Sequence, residues 1–517
     1  MIRIGVDVGG TNTDAVMIDC DGVRASCKVY TSQDVISGVS GALARLLNDS
    51  GVSPDQVDVV MIGTTHFTNA VVQRKDLAPT AAIRLGLPAT ACLPPMTDWP
   101  SDLRTAIHGR AYMLGGGYEF DGREIAPLDE AGLRTVAREL KDTEIRAVAV
   151  SSVFSPINAT MEDRAEEILC KEIPGVHVTK SHEVGRVGLL ERENATIMNA
   201  CLRDLSATVV NAFRDALRQS GLRAAMYLTQ NDGTLMDATF AERFPVMTFA
   251  SGPTNSMRGA AWLSGVSDAI VVDIGGTTSD AGLLRGGLPR QAGIAVEVGG
   301  VRTNFRMPDV FSVGLGGGSI VRRGTEGVTV GPDSVGYRLA TEGMAFGGDT
   351  LTTTDVMIAS GAVALGDPAR LTSLPADLLQ AARAEMERIL TACVERARLS
   401  SEEIPVIVVG GGSVLVDQDR IAGLPVLKPS HFGVANAVGA AIAQVSGEVD
   451  KVYSLAAQTR ADALADAKES ASRTAIAAGA DAATLDIAEI EEIPLAYLPG
   501  NATRIRVKVI GDLHVKA

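Results

Sequence analysis

Two stretches of the chain share a pattern of an aspartate, paired glycines and hydroxyl residues. One runs Asp7-Val8-Gly9-Gly10-Thr11-Asn12-Thr13-Asp14, the other Asp273-Ile274-Gly275-Gly276-Thr277-Thr278-Ser279-Asp280. Paired glycines let backbone N–H groups approach phosphate oxygens with no Cβ in the way. Thr11, Thr13, Thr277 and Thr278 add hydroxyl donors. Asp7 and Asp273 end the apolar runs before each turn, a place suited to holding a hydrated divalent cation or positioning a nucleophile. One such turn is an ordinary hairpin. Two copies agreeing at Asp, Gly, Gly, Thr and the later Asp point to one nucleotide held between two related lobes. Asp14 and Asp280 read as turn-stabilising residues at least as readily as metal contacts.

A third glycine run, Gly410-Gly411-Gly412, follows an apolar stretch at 404–409. Ligands in α/β folds sit at the carboxyl ends of strands, so this turn is expected to face adenine and ribose. Thr64, Thr65, His66 and Asn69 stand at or just past another apolar run, and Asn231 and Asp232 fall in a Gln-Asn-Asp-Gly turn. These are the substrate-side candidates. Imidazole titrates near neutrality, which makes His66 the candidate general base; a neutral, hydrogen-bonded cleft residue is the alternative. Glu191 and Glu193 are expected on a helix surface.

The elements that must position these residues are legible in outline. Residues 2–30 read as a three-strand meander over 2–8, 13–18 and 24–30, with Asp21-Gly22 as a turn. Strand and helix patterns then alternate, the order of a ribonuclease-H-like lobe. The expected organisation is a first lobe over 1–200, a second over 201–447 and a small C-terminal α+β unit over 448–517. A Pro- and Gly-rich insertion near 86–127 is read as having no core of its own. Small residues crowd 433–441, which suits close helix packing. In 504–509, Arg504, Arg506 and Lys508 alternate with Ile505, Val507 and Val509, the pattern of a half-exposed strand.

Composition narrows the partners. A chain of 517 residues exceeds one ordinary core. A net charge of −15 and an aromatic content of 4% argue against a nucleic-acid partner. A nucleotide site must therefore draw its positive character from metal ions and backbone N–H groups. The six cysteines show no metal-ligand spacing, so reduced thiols in a cytoplasmic protein are expected. Met1 runs straight into the first strand, leaving no room for a signal peptide. No run of about 18 apolar residues occurs, so no membrane span is expected.

The order of two phosphate hairpins, a Gly-rich turn and a small-residue helix is similar to the superfamily of actin, sugar kinases and heat-shock chaperone ATPases. Within it the chain most resembles the hydantoinase/oxoprolinase family, A-type subunit, in a short form. The resemblance rests on residues 5–16, 63–75, 181–200, 228–233, 249–265, 271–284, 312–321, 330–336 and 352–356, and covers roughly 1–447. It implies two actin-like α/β lobes around a nucleotide cleft, with ATP and Mg²⁺ (or Mn²⁺) as cofactors. Phosphate and metal would be gripped by Asp7, Gly9, Gly10, Thr11, Asn12, Asp273, Gly275, Gly276, Thr277 and Thr278. The implied reaction is phosphoryl transfer to the carbonyl oxygen of a cyclic amide (a hydantoin, 5-oxoproline or another lactam) followed by hydrolysis. A B-type hydantoinase subunit is the implied partner, and a homo-oligomer is open. The alternatives are a small-molecule kinase and a subunit of an ATP-dependent ketone carboxylase. The chain departs from the family pattern at Asp76-Leu77-Ala78-Pro79, at 336–340 and in its shorter C-terminal region, which leaves the substrate open.

Overall fold

The computed structural model describes all residues except 10–11, 31–34, 294–295, 326, 457, 497–499 and 515–517. The first sheet starts with β1 (Arg3–Val8), β2 (Asn12–Asp19) and β3 (Gly22–Tyr30), an antiparallel meander as expected. β4 (Val59–Thr64) pairs parallel to the free side of β1, and β5 (Ala225–Thr229) pairs parallel to β4. The order β3-β2-β1-β4-β5 is that of a ribonuclease-H-like sheet. β4 is buried at every position, and a strand covered on both faces reads as a continuous apolar run. β6 (Thr234–Asp237) returns antiparallel to β5 through the turn that carries Asn231 and Asp232.

The second lobe retraces that path. β7 (Ala269–Ile274) and β8 (Ser279–Arg285) form the hairpin, and β9 (Val310–Val313) pairs antiparallel with β8. β10 (Val406–Val409) lies parallel to β7, and β11 (Leu424–Leu427) parallel to β10. The registers match as well. Asp7 faces Asp14 across the first hairpin, and Asp273 faces Asp280 across the second. Both lobes therefore present their aspartate at the same point of the same fold.

Two helices, Ser251–Ser264 and Ala435–Ala441, pack between the sheets and cross each other. Their approach is too close for side chains at the crossing. A Cβ on Gly259 would lie 1.8 Å from the Ala435 carbonyl oxygen, and one on Gly439 1.9 Å from that of Asn255. The small residues of 433–441 have the packing role expected of them.

Two parts of the expected organisation differ. The strands Thr80–Leu87, Arg110–Gly115, Ala147–Ser152 and His177–Lys180 form a separate four-stranded parallel sheet. It has its own core, including Ile83, Leu85, Leu133, Val148, Val150 and Leu169. The inserted unit is thus much larger than 86–127 and is not coreless, because Ala147–Ser152 pairs with Thr80–Leu87 rather than with β4. Glu193 is not on a surface either. It is buried, ion-paired with Arg84 and accepting a 2.6 Å hydrogen bond from Ser151 Oγ, and so pins the helix Leu189–Cys201 to the inserted sheet.

The C-terminal strands do not form a sheet of their own. β12 (Gln444–Ser454), β13 (Asp486–Pro494) and β14 (Ala502–Gly511) extend the first sheet, in the order β13-β14-β12-β6-β5-β4-β1-β2-β3. β12 starts just past the helix Ala435–Ala441 and pairs parallel to β6. Ile505, Val507 and Val509 bury against an alanine stripe, Ala463, Ala467, Ala471 and Ala475, of the helix Arg460–Ala477. Arg506 and Lys508 on the opposite face are also buried, so the strand is not half-exposed. Among the described residues no helix is long and apolar enough to cross a membrane.

Candidate nucleotide site

Each hairpin closes with the same bond. Gly9 N–H donates to the Asn12 carbonyl at 3.1 Å, and Gly275 N–H to the Thr278 carbonyl at 2.8 Å. Gly10 and Thr11, expected phosphate contacts, lie outside the described residues. In the second turn the carbonyls face backwards. Gly275 O accepts from Gly317 N–H at 3.0 Å, and Gly276 O accepts from Gly318 N–H at 2.7 Å. The loop 316–318 therefore braces the turn. Among the described residues no acceptor pairs with the N–H groups of Gly276 and Thr277, and Thr277 and Thr278 are exposed. Donors left over in this way form an anion-binding concavity.

Asp7 is buried at the end of β1. Its Oδ2 accepts from Asn436 Nδ2 at 2.8 Å, while Oδ1 has no hydrogen-bond partner among the described residues. Asp273 Oδ2 accepts from Ser256 Oγ. The two helices between the sheets thus each deliver one polar side chain to one aspartate. Asp14, across from Asp7, is bonded to Lys28 Nζ at 2.7 Å.

Burial, then the charges of Asp14 and Asp273, push the Asp7 carboxyl up to about 7, against the pull of Lys28 and Asn436. Burial likewise raises Asp273, opposed by Ser256 and Lys28 and reinforced by Asp14. Asp14 is raised by burial in spite of Lys28. Three carboxylates, Asp7 and Asp14 buried and Asp273 half-buried, share one lysine, a set that favours either protons or a bound cation. Oxygen donors with one of them orphaned fit a hard divalent ion such as Mg²⁺.

The run Gly410–Gly412 closes against the second hairpin. Gly412 N–H donates to the Ile274 carbonyl at 2.7 Å, and a Cβ on Gly410 would lie 2.2 Å from Asp273 Oδ1. Gly411 alone has room, with Lys28 Nζ 3.9 Å from the place its Cβ would take. Lys28 of the first lobe thus reaches the glycine turn of the second.

Thr64, Thr65, His66 and Asn69 gather beside the first hairpin. Thr65 N–H donates to the Val8 carbonyl at 3.4 Å, and Asn69 Nδ2 to Thr65 Oγ1 at 3.3 Å. His66 Nδ1 lies 2.7 Å from Thr64 Oγ1, and its ring meets Phe213 edge to face. Burial holds the His66 pKa below its ordinary value, so the ring is neutral near pH 7. Thr13 is not brought to this group: it is fully buried, on the face of β2 opposite to Asp14.

Asn231 and Asp232 are not brought to the hairpins either. Asn231 donates to the Val246 carbonyl at 3.0 Å and accepts from Ala250 N–H at 2.8 Å, which ties the turn to the start of a helix. Asp232 accepts from Lys508 Nζ at 2.6 Å and from Thr234 Oγ1 at 2.6 Å. Their polar groups are taken up by structure. Conversely Lys28, Asn436 and Ser256 escaped the sequence analysis. The signal available was weak: a lone lysine in a strand, and single polar residues in helices of small side chains.

Residues 3–173 match the family model described as the hydantoinase/oxoprolinase N-terminal region, and residues 192–372 the one described as hydantoinase/oxoprolinase, together more than half of the chain. The caprolactamase subunit alpha of Pseudomonas jessenii is 28% identical over 421 residues, 76% of this chain and 60% of that protein. The acetophenone carboxylase gamma subunit of Aromatoleum aromaticum is 29% identical over 392 residues, 69% of this chain and 53% of that one. The chain spans between half and two thirds of the length of these curated relatives. The fold matches the crystal structure of the ATP-dependent caprolactamase from Pseudomonas jessenii, with a TM-score of 0.77 at 19% identity over 99% of this chain and 88% of that one. It also matches nucleotide-free acetone carboxylase, with a TM-score of 0.71 at 18% identity and the same coverage of each chain. With both family regions present in order and the paired hairpins in matching register, the chain belongs to the hydantoinase/oxoprolinase family.

Proposed function

We propose that the chain is the ATP-binding subunit of an enzyme that activates the carbonyl of a cyclic amide by phosphoryl transfer and so prepares the ring for hydrolysis. The observation that carries this reading is the pair of hairpins in matching register, whose aspartates lie close enough for the Asp273 charge to raise the Asp7 carboxyl. An unactivated amide is a poor electrophile. Moving the γ-phosphoryl group onto its oxygen, with ADP leaving, makes that oxygen a leaving group for attack by water.

The chain's own groups supply position and charge. The N–H groups of Gly276 and Thr277 and the hydroxyls of Thr277 and Thr278 hold phosphate oxygens, with Gly9 and Asn12 on the facing turn. Asp7 and Asp273 would hold Mg²⁺ or Mn²⁺, which when bound neutralises charge on the phosphates. Lys28 offsets the three carboxylates and restrains the glycine turn. Thr64, Thr65 and Asn69 orient the acceptor beside the first hairpin, and the neutral His66 ring is free to take a proton.

Relatives named as carboxylase subunits favour a second reading, in which the same step activates a ketone. Relatives named as subunits support a partner chain, and the family resemblance makes a B-type hydantoinase subunit the partner we propose. The test is ADP release by the purified chain, alone and with a co-expressed partner, over hydantoin, 5-oxoproline, caprolactam, acetone and acetophenone. Stimulation by a lactam supports the first reading and stimulation by a ketone the second. Indifference to all five, or a stable phosphorylated product found by mass spectrometry, would overturn both.

A further inference from the structure

A cavity of about 790 Å³ opens where the inserted sheet, the β5–β6 turn and the C-terminal strands meet. Neither hairpin nor the Gly410–Gly412 turn lines it, so it is separate from the nucleotide site. The charges on its wall are unevenly paired. Asp232 is held by Lys508, Asp450 by Arg504 at 2.7 Å, and Glu183 by Arg243 at 3.3 Å. Glu448 contacts Arg306 and Arg506. Asp237 accepts from the backbone N–H groups of Thr239 and Phe240, and Arg186 has no carboxylate within ion-pair distance among the described residues. Arg306 touches Glu448 and lies 3.7 Å from Glu489, yet among the described residues its three buried guanidinium nitrogens make no well-aligned hydrogen bond, and the buried Asn304 Oδ1 has no partner.

A histidine faces the same space. His182 Nδ1 lies 2.6 Å from Glu162 Oε2, and Glu162 is fully buried, also accepting from Ser152 N–H at 2.7 Å and Ser181 Oγ at 2.5 Å. A carboxylate acceptor keeps the proton on Nδ1 and leaves Nε2 for whatever enters the cavity. Asp163 Oδ1 is 3.9 Å from Nε2, too long for a hydrogen bond. Ile157, Leu235, Met236 and Phe240 supply the apolar part of the wall.

We propose that this cavity binds a small organic monocarboxylate, its carboxylate paired with Arg186 and Arg306, its chain against Leu235 and Phe240, and a hydroxyl or amide group hydrogen-bonded to His182 Nε2. The volume falls in the range of small-molecule sites and far exceeds an inorganic ion. Arg186 has Glu448 and Asp450 near but outside ion-pair distance, which leaves its guanidinium nitrogens open to one carboxylate. Asp232, Glu448 and Asp450 in the wall oppose a dianion. Burial and the nearness of Arg306 lower the Arg186 pKa against the pull of Glu448 and Asp450, so a further anion in contact would stabilise the cation.

The experiment is isothermal titration of the full chain with 4-hydroxybutyrate, 5-hydroxypentanoate, 6-hydroxyhexanoate, hexanoate and inorganic phosphate at matched ionic strength. We expect saturable binding of at least one hydroxycarboxylate, weakened about tenfold or more in Arg186→Gln and retained in part in Arg186→Lys. His182→Gln should weaken the hydroxycarboxylates and leave hexanoate unchanged. Arg186 makes no side-chain ion pair, so both of its variants are expected to melt with the parent, and nucleotide binding should not change. Absence of saturable binding, equal binding by Arg186→Gln, or phosphate binding as tightly as the carboxylates would each overturn the proposal.

Discussion

Asn436 donates a 2.8 Å hydrogen bond to Asp7 Oδ2 from a helix at the far end of the chain. Ser256 makes the matching contact to Asp273 from the other helix between the sheets. Among the described residues Asp7 Oδ1 has no hydrogen-bond partner, and the helix that carries Asn436 fixes where that oxygen points.

Replacing Asp7 with Asn should abolish nucleotide turnover without unfolding the chain. ADP release should fall by about 100-fold or more, the scale for losing a group that organises charge at a phosphoryl site. In metal-free buffer the melting temperature should hold or rise, since one of three crowded carboxylates is gone. Full activity in Asp7→Asn would remove the metal role assigned to this residue.

Gly439→Ala should destabilise the protein through the helix crossing alone. Its Cβ would meet the Asn255 carbonyl at 1.9 Å, so backbone rather than a flexible side chain must move. Overpacking of this kind costs about 1–3 kcal/mol. Gly41→Ala, at an exposed helical position with nothing within 4 Å, is the control and should gain about 0.5–1 kcal/mol. Urea unfolding of the two variants separates the cases, and equal midpoints would contradict the close crossing.

The Asp232–Lys508 pair predicts a pH dependence of stability. Burial would raise the Asp232 pKa, but the charge and hydrogen bond of Lys508, with the hydrogen bonds from Thr234, outweigh it and hold the carboxyl well below its ordinary value. A depressed folded pKa adds stability above the unfolded value, and that stability is lost as pH falls below it. Asp232→Asn should cost about 3–5 kcal/mol at pH 7, because it strands a buried lysine. The gap between parent and variant should shrink as pH falls from about 5 toward 2. A gap independent of pH would mean that the pair is not ionic.

Glu193→Ala should loosen the inserted sheet from the helix Leu189–Cys201, leaving Arg84 buried with the Leu93 carbonyl but without a carboxylate. The expected loss is about 3–5 kcal/mol, and the double variant Arg84→Met, Glu193→Leu should recover much of it. Hydrogen exchange would place the loss in the strands Thr80–Leu87 and Ala147–Ser152. Uniform loosening of the first sheet instead would contradict this placement.

What the sequence determined by itself was local. Glycine pairs, hydroxyls and an aspartate at fixed spacing specify a turn through backbone sterics, so both hairpins could be read before any fold was known. Continuous apolar runs such as 59–62 marked strands covered on both faces. The tertiary structure decided what meets those turns. Lys28, Asn436 and Ser256 reach the aspartates from elements whose own patterns speak only of strand or small-residue helix. Strand pairing was equally hidden. Alternation at 504–509 showed that one face was buried, but not that Asp232 and Glu448 would cover the other. Between Thr80–Leu87 and its partner Ala147–Ser152 lie another strand, two helices and their turns, and no local signal names a partner that far along the chain. Spacing writes the turn, and long-range packing chooses the side chains that finish it.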